Sequence, residues 1–331
     1  MESRTKRVLD AARLDALVRR AVGAGVVTAE ELADGYANAV WRLTTDDGRR
    51  LVLKLSPPPE LEQLTYERGL LRTEARVYEL CAKAGVPVPE LVRAGFDDPV
   101  LGGDYLVLAD LDGVPWNRAG DRLSEEQQRA IRRELGGHMA RFNAITGTEY
   151  GYPSGAPAGP TWRVAFLAMV RALLADSRRY GIALPLPPAE IAAIVEGAAG
   201  ALDDVRTPSL VHFDIWPGNV FLTFGDGPPR IQAIIDHERS FWGDPLADFV
   251  TPTIFGELDE TDDLVTGYRE AGGTVELTPS ARTRLALYRA YLYLILLVEN
   301  GPRQYPEESY ARVRDLSVTH LTEILARLRT A

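Results

Sequence analysis

The sequence predicts an α+β chain of two lobes, a small β-rich N-terminal lobe and a large, mostly helical C-terminal lobe. Three observations predict it. Strand-type runs joined by a short glycine-containing turn fall in the first third of the chain. Long helical patterns fill much of the remainder. At 331 residues and 46% hydrophobic composition, the chain is large enough for two lobes and a sizeable core.

Residues 7–22 read as a helix with Leu9, Leu14, Leu17 and Val18 on one side, ended by the stretch Gly23 to Val27. A polar turn, Asp34 to Asn38, leads into the run Ala39 to Leu43. A second run, Leu51 to Leu55, follows across Asp46-Asp47-Gly48, and the pair reads as an antiparallel hairpin. Alternation puts Leu51, Leu53 and Leu55 on one face and Val52 and Lys54 on the other. Taken alone, Lys54 reads as a solvent-facing charge. The next helical pattern, residues 67–83, changes that reading. It carries Glu74 among Leu70, Leu71, Val77, Tyr78 and Cys81, and a carboxylate on an apolar face needs a partner. Lys54 is the natural one. The helix ends near Ala84-Gly85, and Pro87 and Pro89 impose an extended exit.

Residues 104–108 form a further strand, and residues 109–113 suit a hinge. The expected division is a small lobe over 1–108, a hinge over 109–113 and a large lobe over 114–331. Helices are expected over 124–145, 162–180, 188–203 and 282–299, with a proline-rich stretch at Pro153 to Pro160. The apolar segment Leu285 to Val298 contains Arg289 and is too short to span a bilayer comfortably, so it reads as a core helix. Charged residues at the N-terminus, without an apolar stretch, leave a cytoplasmic location as the default expectation.

A net charge of -10 argues against generic nucleic-acid binding. The single cysteine, Cys81, rules out an intrachain disulfide and reads as a small buried hydrophobe. Four scattered histidines make a structural zinc site improbable.

The chemistry is concentrated in one stretch. A compact polar loop with apolar edges runs from Leu210 to Leu222 and carries His212, Asp214 and Asn219. A strand then emerges into Asp236-His237-Glu238, and Gly243-Asp244-Pro245 precedes Asp248. Each residue alone has a plain structural reading: Asp214 or Asp236 as a cap, Asn219 as a turn residue, Trp216 and Trp242 as packing. Together, His212-x-Asp214-x4-Asn219, Ile235-Asp236 and Gly243-Asp244-Pro245-x2-Asp248, with Lys54 and Glu74 upstream, resemble the antibiotic phosphotransferase family. That family includes the aminoglycoside phosphotransferases and is more distantly similar to choline, homoserine and fructosamine kinases. The similarity covers roughly residues 30 to 300. There is no Walker A sequence and no GxGxxG loop; the turn from Gly35 to Asn38 takes that place.

The resemblance implies a protein-kinase-like fold and transfer of a nucleoside triphosphate's terminal phosphoryl group to a small-molecule hydroxyl. ATP is the default donor, GTP is an alternative, and Mg2+ is the metal. Asp214 is implied as the base or orienting group. Asn219 and Asp236 are implied as magnesium ligands. Lys54, held by Glu74, would contact the phosphates. Asn38, Val52, Leu108 and Asp110 would complete the nucleotide site. His212, His237 and Asp248 are expected to brace the loop, and the role of Glu238 stays open. The acidic segment Glu257 to Asp263 is either an attractor for a cationic acceptor or a solvated helix start. No nucleic-acid or membrane partner is expected, and a monomer or homodimer is. Other readings are a metabolic small-molecule kinase or a non-catalytic kinase-like scaffold.

Overall fold

The computed structural model describes residues 7, 9–32, 38–155 and 157–330. Residues 34–37 of the expected phosphate-side turn lie outside them, while Asn38 is described.

Helix α1 (Ala11–Val22) is capped by the Asp10 carboxylate, which accepts from the Arg13 N–H, and ends at Gly23 in the left-handed region. Strands β1 (Val26–Glu31), β2 (Ala39–Thr45) and β3 (Arg50–Leu55) follow. Helix α2 (Leu70–Ala84) comes next, after a 3-10 turn at Thr65–Glu67. Strands β4 (Leu91–Asp98) and β5 (Gly103–Ala109) complete an antiparallel sheet in the order β1-β2-β3-β5-β4. The expected strands over 39–43, 51–55 and 104–108 are present. β1 and β4 are additions that the sequence reading missed.

The alternation in β3 partitions the sheet. Leu51, Leu53 and Leu55 pack with Leu14, Leu17 and Val18 of α1. Val52 lies with Leu106 and Leu108 against Leu71, Ala75 and Tyr78 of α2. Lys54 shares this second face, and α2 therefore lies directly over it.

The larger lobe begins with the short elements β6 (Val114–Pro115) and α3 (Trp116–Ala119), then α4 (Glu125–Asn143), β7 (Tyr150–Gly151), β8 (Ala158–Gly159), α5 (Trp162–Arg179) and α6 (Pro188–Ala198). Strands β9 (Ser209–Val211), β10 (Val220–Thr223), β11 (Arg230–Ile234) and β12 (Phe241–Gly243) frame the polar loops. Helices α7 (Asp263–Glu270), α8 (Pro279–Val298), α9 (Asn300–Arg303) and α10 (Glu307–Leu328) close the lobe.

Local chemistry sets these boundaries. Ser124 and Gln127 form a capping box on α4, and Thr161 and Thr278 cap α5 and α8. Helices α4 and α7 cross through Gly136 and Gly267. A Cβ there would strike the Leu264 and Arg133 carbonyl oxygens. Helix α8 is buried almost all round, as its continuous apolar pattern requires. Its tyrosines belong to the core rather than to an open pocket. Tyr288 accepts from Trp162 Nε1 at 2.7 Å and donates to Asp244 Oδ2 at 2.7 Å, and Tyr291 pairs with Tyr152 at 2.9 Å. Among the described residues no helix is long and apolar enough to cross a membrane.

Candidate active site

Asp214 stands on a loop whose backbone is held by the side chains of Asp248, Thr251 and His212. Asp248 Oδ1 accepts from the N–H groups of His212 and Phe213, both at 2.8 Å. Its Oδ2 accepts from Asn143 Nδ2 at 2.6 Å. Thr251 Oγ1 accepts from the Ile215 N–H at 2.9 Å. His212 Nδ1 accepts from the Asp214 N–H at 3.2 Å, which leaves Nε2 to donate to the Ile235 carbonyl at 3.1 Å. Burial lowers the His212 pKa, so the ring stays neutral and serves as a brace. This scaffold holds Phe213 at φ 60° and Asp236 at φ 67°. Such backbones cost about 1–3 kcal/mol each and persist only where surrounding contacts over-determine them.

Asp236 follows β11, whose Ile234 pairs with Val220. The next N–H, that of Ile235, donates to the Asn219 carbonyl at 2.9 Å, so the two polar loops are stitched together. Asn219 donates Nδ2 to the Asp214 carbonyl at 2.9 Å, which leaves its amide oxygen for a cation.

From the small lobe, Lys54 reaches this point. Its ammonium donates to both oxygens of the fully buried Glu74, at 2.8 and 2.7 Å, and to Asp236 Oδ1 at 2.8 Å. Tyr78 adds a donor to Glu74 Oε1 at 2.9 Å. Burial alone would pull the lysine pKa down, but Asp236, Glu74 and Glu238 outweigh it and hold the ammonium charged. Burial opposes ionisation of Asp236 too, and Lys54 overcomes it, leaving that carboxylate below its usual range.

Glu74, Asp236 and Glu238 each bring a carboxylate oxygen within 4.8 Å of the others. Glu74 is spent on Lys54 and Tyr78, so Asp236, Glu238 and the Asn219 amide oxygen are the groups left for a metal. An all-oxygen set of this kind suits a hard divalent cation such as magnesium. Glu238 is buried, accepts from Asn38 Nδ2 at 2.5 Å and lies 3.7 Å from Lys54 Nζ. Burial and the Asp236 charge push its carboxyl up to about 8.

The remaining residues expected at a nucleotide site are distributed along the sheet. Leu108 pairs with Val52 across β3 and β5 and is buried. The Asp110 N–H donates to the Arg50 carbonyl, and its carboxylate is bound to Arg42 and Arg50. Four of the five acids of the segment 257–263 pair with arginines, while Asp259 accepts from Thr261. Glu257 pairs with Arg289 and Arg327, Glu260 with Arg269, Asp262 with Arg132, and Asp263 with Arg129. Asp262 also caps α7.

One group of functional candidates was not read from the sequence. Arg239 follows the Asp236 motif, and its Nε lies 4.0 Å from Asp214 Oδ2. Its Nη2 donates to Glu299 at 2.7 Å. Arg303 also bonds Glu299, at 2.8 Å, and reaches Glu67. The Asp214 carboxyl itself is pushed up to about 6 by burial, against the pull of Arg239.

A braced acid on a loop, a lysine–glutamate pair and a second acid on the following loop, set between a β-rich lobe and a helical one, define a kinase-like phosphotransferase. The chain belongs to the phosphotransferase enzyme family, which matches over residues 28–288. Similar solved structures include a putative fructosamine-3-kinase from Thermobifida fusca YX-ER1, with 20% identity, 92% of this chain and 98% of that chain covered, and a TM-score of 0.63. A putative aminoglycoside phosphotransferase from Ralstonia eutropha JMP134 has 17% identity, 96% and 98% coverage, and a TM-score of 0.63. A macrolide 2'-phosphotransferase from Brachybacterium faecium has 19% identity, 93% and 97% coverage, and a TM-score of 0.53. The search of curated proteins gave no significant match.

Proposed function

We propose that this protein transfers the γ-phosphoryl group of ATP, or of GTP, to a hydroxyl of a small molecule in a magnesium-dependent reaction. The observation that carries the reading is the contact of Lys54 with Glu74 and Asp236 beside a separately braced Asp214, to whose carbonyl Asn219 is bonded. Phosphoryl transfer needs positioning and charge neutralisation, with little covalent help from the protein. In this reading Asp214 accepts the hydroxyl proton and aims the oxygen. Lys54, kept charged and aimed by Glu74, binds the phosphates. Asn219 and Asp236, with Glu238 beside them, hold the metal. Magnesium bound there would neutralise phosphate charge. Asn38 bears on the phosphate side, and Val52, Leu108 and the backbone at Asp110 form the base-side wall and hinge. A lobe boundary near 109–113 accords with β5 ending at Ala109.

For the acceptor, we favour an antibiotic, either an aminoglycoside or a nucleoside antibiotic, with resistance as the outcome. The names borne by similar structures span both antibiotic and sugar-amine kinases. One observation supports a second reading, a metabolic small-molecule kinase. Four of the five acids of 257–263 are paired with arginines, which lessens the free charge they offer to an amino sugar. The complete set of Lys54, Glu74, Asp214, Asn219 and Asp236 opposes a scaffold role.

The test is a magnesium-dependent transfer assay with ATP and GTP in parallel. The acceptor panel comprises aminoglycoside, macrolide and nucleoside antibiotics, choline, homoserine and ketosamines, and product mass is read for one added phosphoryl group. A single acceptor class gaining that mass fixes donor and acceptor together. A folded protein that fails to bind magnesium–nucleotide would overturn the reading.

A further inference from the structure

Arg289 stands in the middle of α8, and the transfer chemistry does not use it. Only 5% of it is exposed. Its Nη1 donates to the Glu257 carboxylate. Its Nε and Nη2 are buried and have no hydrogen-bond partner among the described residues. Those two nitrogens form one edge of the guanidinium, the edge that grips two oxygens of a single oxyanion side by side. The position is well removed from Asp214. Glu299, which holds Arg239 beside that residue, caps the far end of α8, about 15 Å along the axis at 1.5 Å per residue.

Arg289 lines a cavity of about 110 Å³ between α8, α10 and the segment before α7. The charged lining is Glu257, Arg282, Arg289 and Arg327, and the rest is aliphatic. Three guanidiniums against one carboxylate leave an excess of two positive charges. Glu257 is moreover shared, since it also accepts from Arg327 at 3.1 Å. A buried charge needs both neutralisation and hydrogen bonds, and buried donors without partners point to a bound water or ion. Water would satisfy the two free nitrogens and leave the excess charge. An oxyanion does both. A single water needs about 10–15 Å³ of such space, so the cavity takes an ion of several heavy atoms.

We propose that this cavity binds a dianionic oxyanion of the phosphate type, with two of its oxygens on Nε and Nη2 of Arg289 and the others toward Arg282 and Arg327. The planar guanidinium matches such a group bidentately, where a lysine would offer only a point charge. Nε and Nη2 are closed off from water, so the ion is admitted as the exposed side chains of Glu257, Arg282 and Arg327 part. The ligand is either free phosphate or the phosphate group of an ester whose remainder lies outside the cavity. The site is separate from Asp214 and stands whether or not Asp214 is the base.

The test needs neither nucleotide nor acceptor. Inorganic phosphate, glycerol 3-phosphate and acetate are titrated separately into wild type and Arg289→Met by calorimetry at pH 8 and constant ionic strength. Thermal melting is followed alongside. Phosphate bound at the nucleotide site does not depend on Arg289, so the Arg289-dependent part reports this cavity. The wild type is expected to bind phosphate or its ester and to melt at a higher temperature with it. Arg289→Met, in which an apolar chain replaces the buried charge, is expected to lose at least about tenfold in affinity. Tighter binding of phosphate identifies the free ion as the ligand, and tighter binding of the ester identifies a phosphate group on a larger molecule. Acetate should bind more weakly than either. Should Arg289→Met fail to fold, selenate soaked into wild-type crystals grown without sulfate or phosphate carries the test, with an anomalous peak expected beside Nε and Nη2. Phosphate and ester binding unchanged by Arg289→Met would overturn the proposal. So would acetate bound as tightly as phosphate, no binding of phosphate or ester at all, or no selenate peak at that edge.

Discussion

The ammonium of Lys54 lies 2.8 Å from Oδ1 of Asp236 while bonding both oxygens of Glu74. Phosphates entering between the lobes would take the Asp236 side of that ammonium, and Glu74 would keep the other. Replacing Lys54 by Ala should therefore do two things. It should abolish tight Mg–nucleotide binding, and it should destabilise the fold, because breaking a buried pair costs about 3–5 kcal/mol. Calorimetry and denaturant unfolding check the two effects. A variant with wild-type stability and nucleotide affinity would contradict the assignment.

The loop brace is separable from the nucleotide contacts. Asp248→Ala removes the acceptor for the N–H groups of His212 and Phe213 and for Asn143 Nδ2. Each buried donor left unsatisfied costs about 1–3 kcal/mol. The variant should melt at a lower temperature and lose turnover, while nucleotide affinity in the protein that remains folded changes little. Scanning calorimetry and nucleotide titration at low temperature distinguish these effects.

Acid should switch the reaction off. Burial raises the Asp214 carboxyl to about 6, with Arg239 holding it back from a higher value. The ionised form is the one that accepts a proton, so kcat/KM should rise with pH through that region and level off above it. Removing Arg239 takes away the opposing charge and should move the limb to higher pH. A profile flat from pH 5 to 8, on the scale where an ordinary aspartate titrates near 3.9, would contradict a base at Asp214.

Neutralising the acidic segment should affect the fold and leave the acceptor alone. Glu257→Gln weakens the tie to Arg289 and Arg327, and Asp262→Ala removes both the α7 cap and the bond to Arg132. The loss of the cap alone is worth about 1 kcal/mol. The melting temperature should fall while acceptor KM stays constant. A raised KM with unchanged stability would restore the segment as an acceptor contact.

What the sequence disclosed follows from local patterning. Glu74 was legible because a carboxylate interrupted an apolar helix face, and Lys54 because strand alternation set it on the face that helix had to cover. The loop carrying Asp214 and Asn219 was legible because its polar residues sit within about ten positions between apolar edges. β1 was missed because five of its six residues, Val27 to Glu31, are exposed and mostly polar. β4 was missed because it is an outer strand with shifts in register, so no clean alternation marks it. The chain from Arg239 to Glu67 was illegible for another reason. Arg239 and Glu299 are 60 residues apart, and Arg303 and Glu67 are 236 apart, so only the assembled fold pairs them. The arginine pairing of the acidic segment was hidden in the same way, since its partners lie on α4, α7, α8 and α10.

The most direct measurement compares wild type with Asp214→Asn for formation of phosphorylated product from ATP and the acceptor identified in the panel, with Mg–ATP affinity measured on both. The account predicts one phosphoryl group added per acceptor by the wild type. For Asp214→Asn it predicts ATP affinity within a few-fold and turnover lower by about 10²–10⁴. Equal turnover by the two proteins would contradict it.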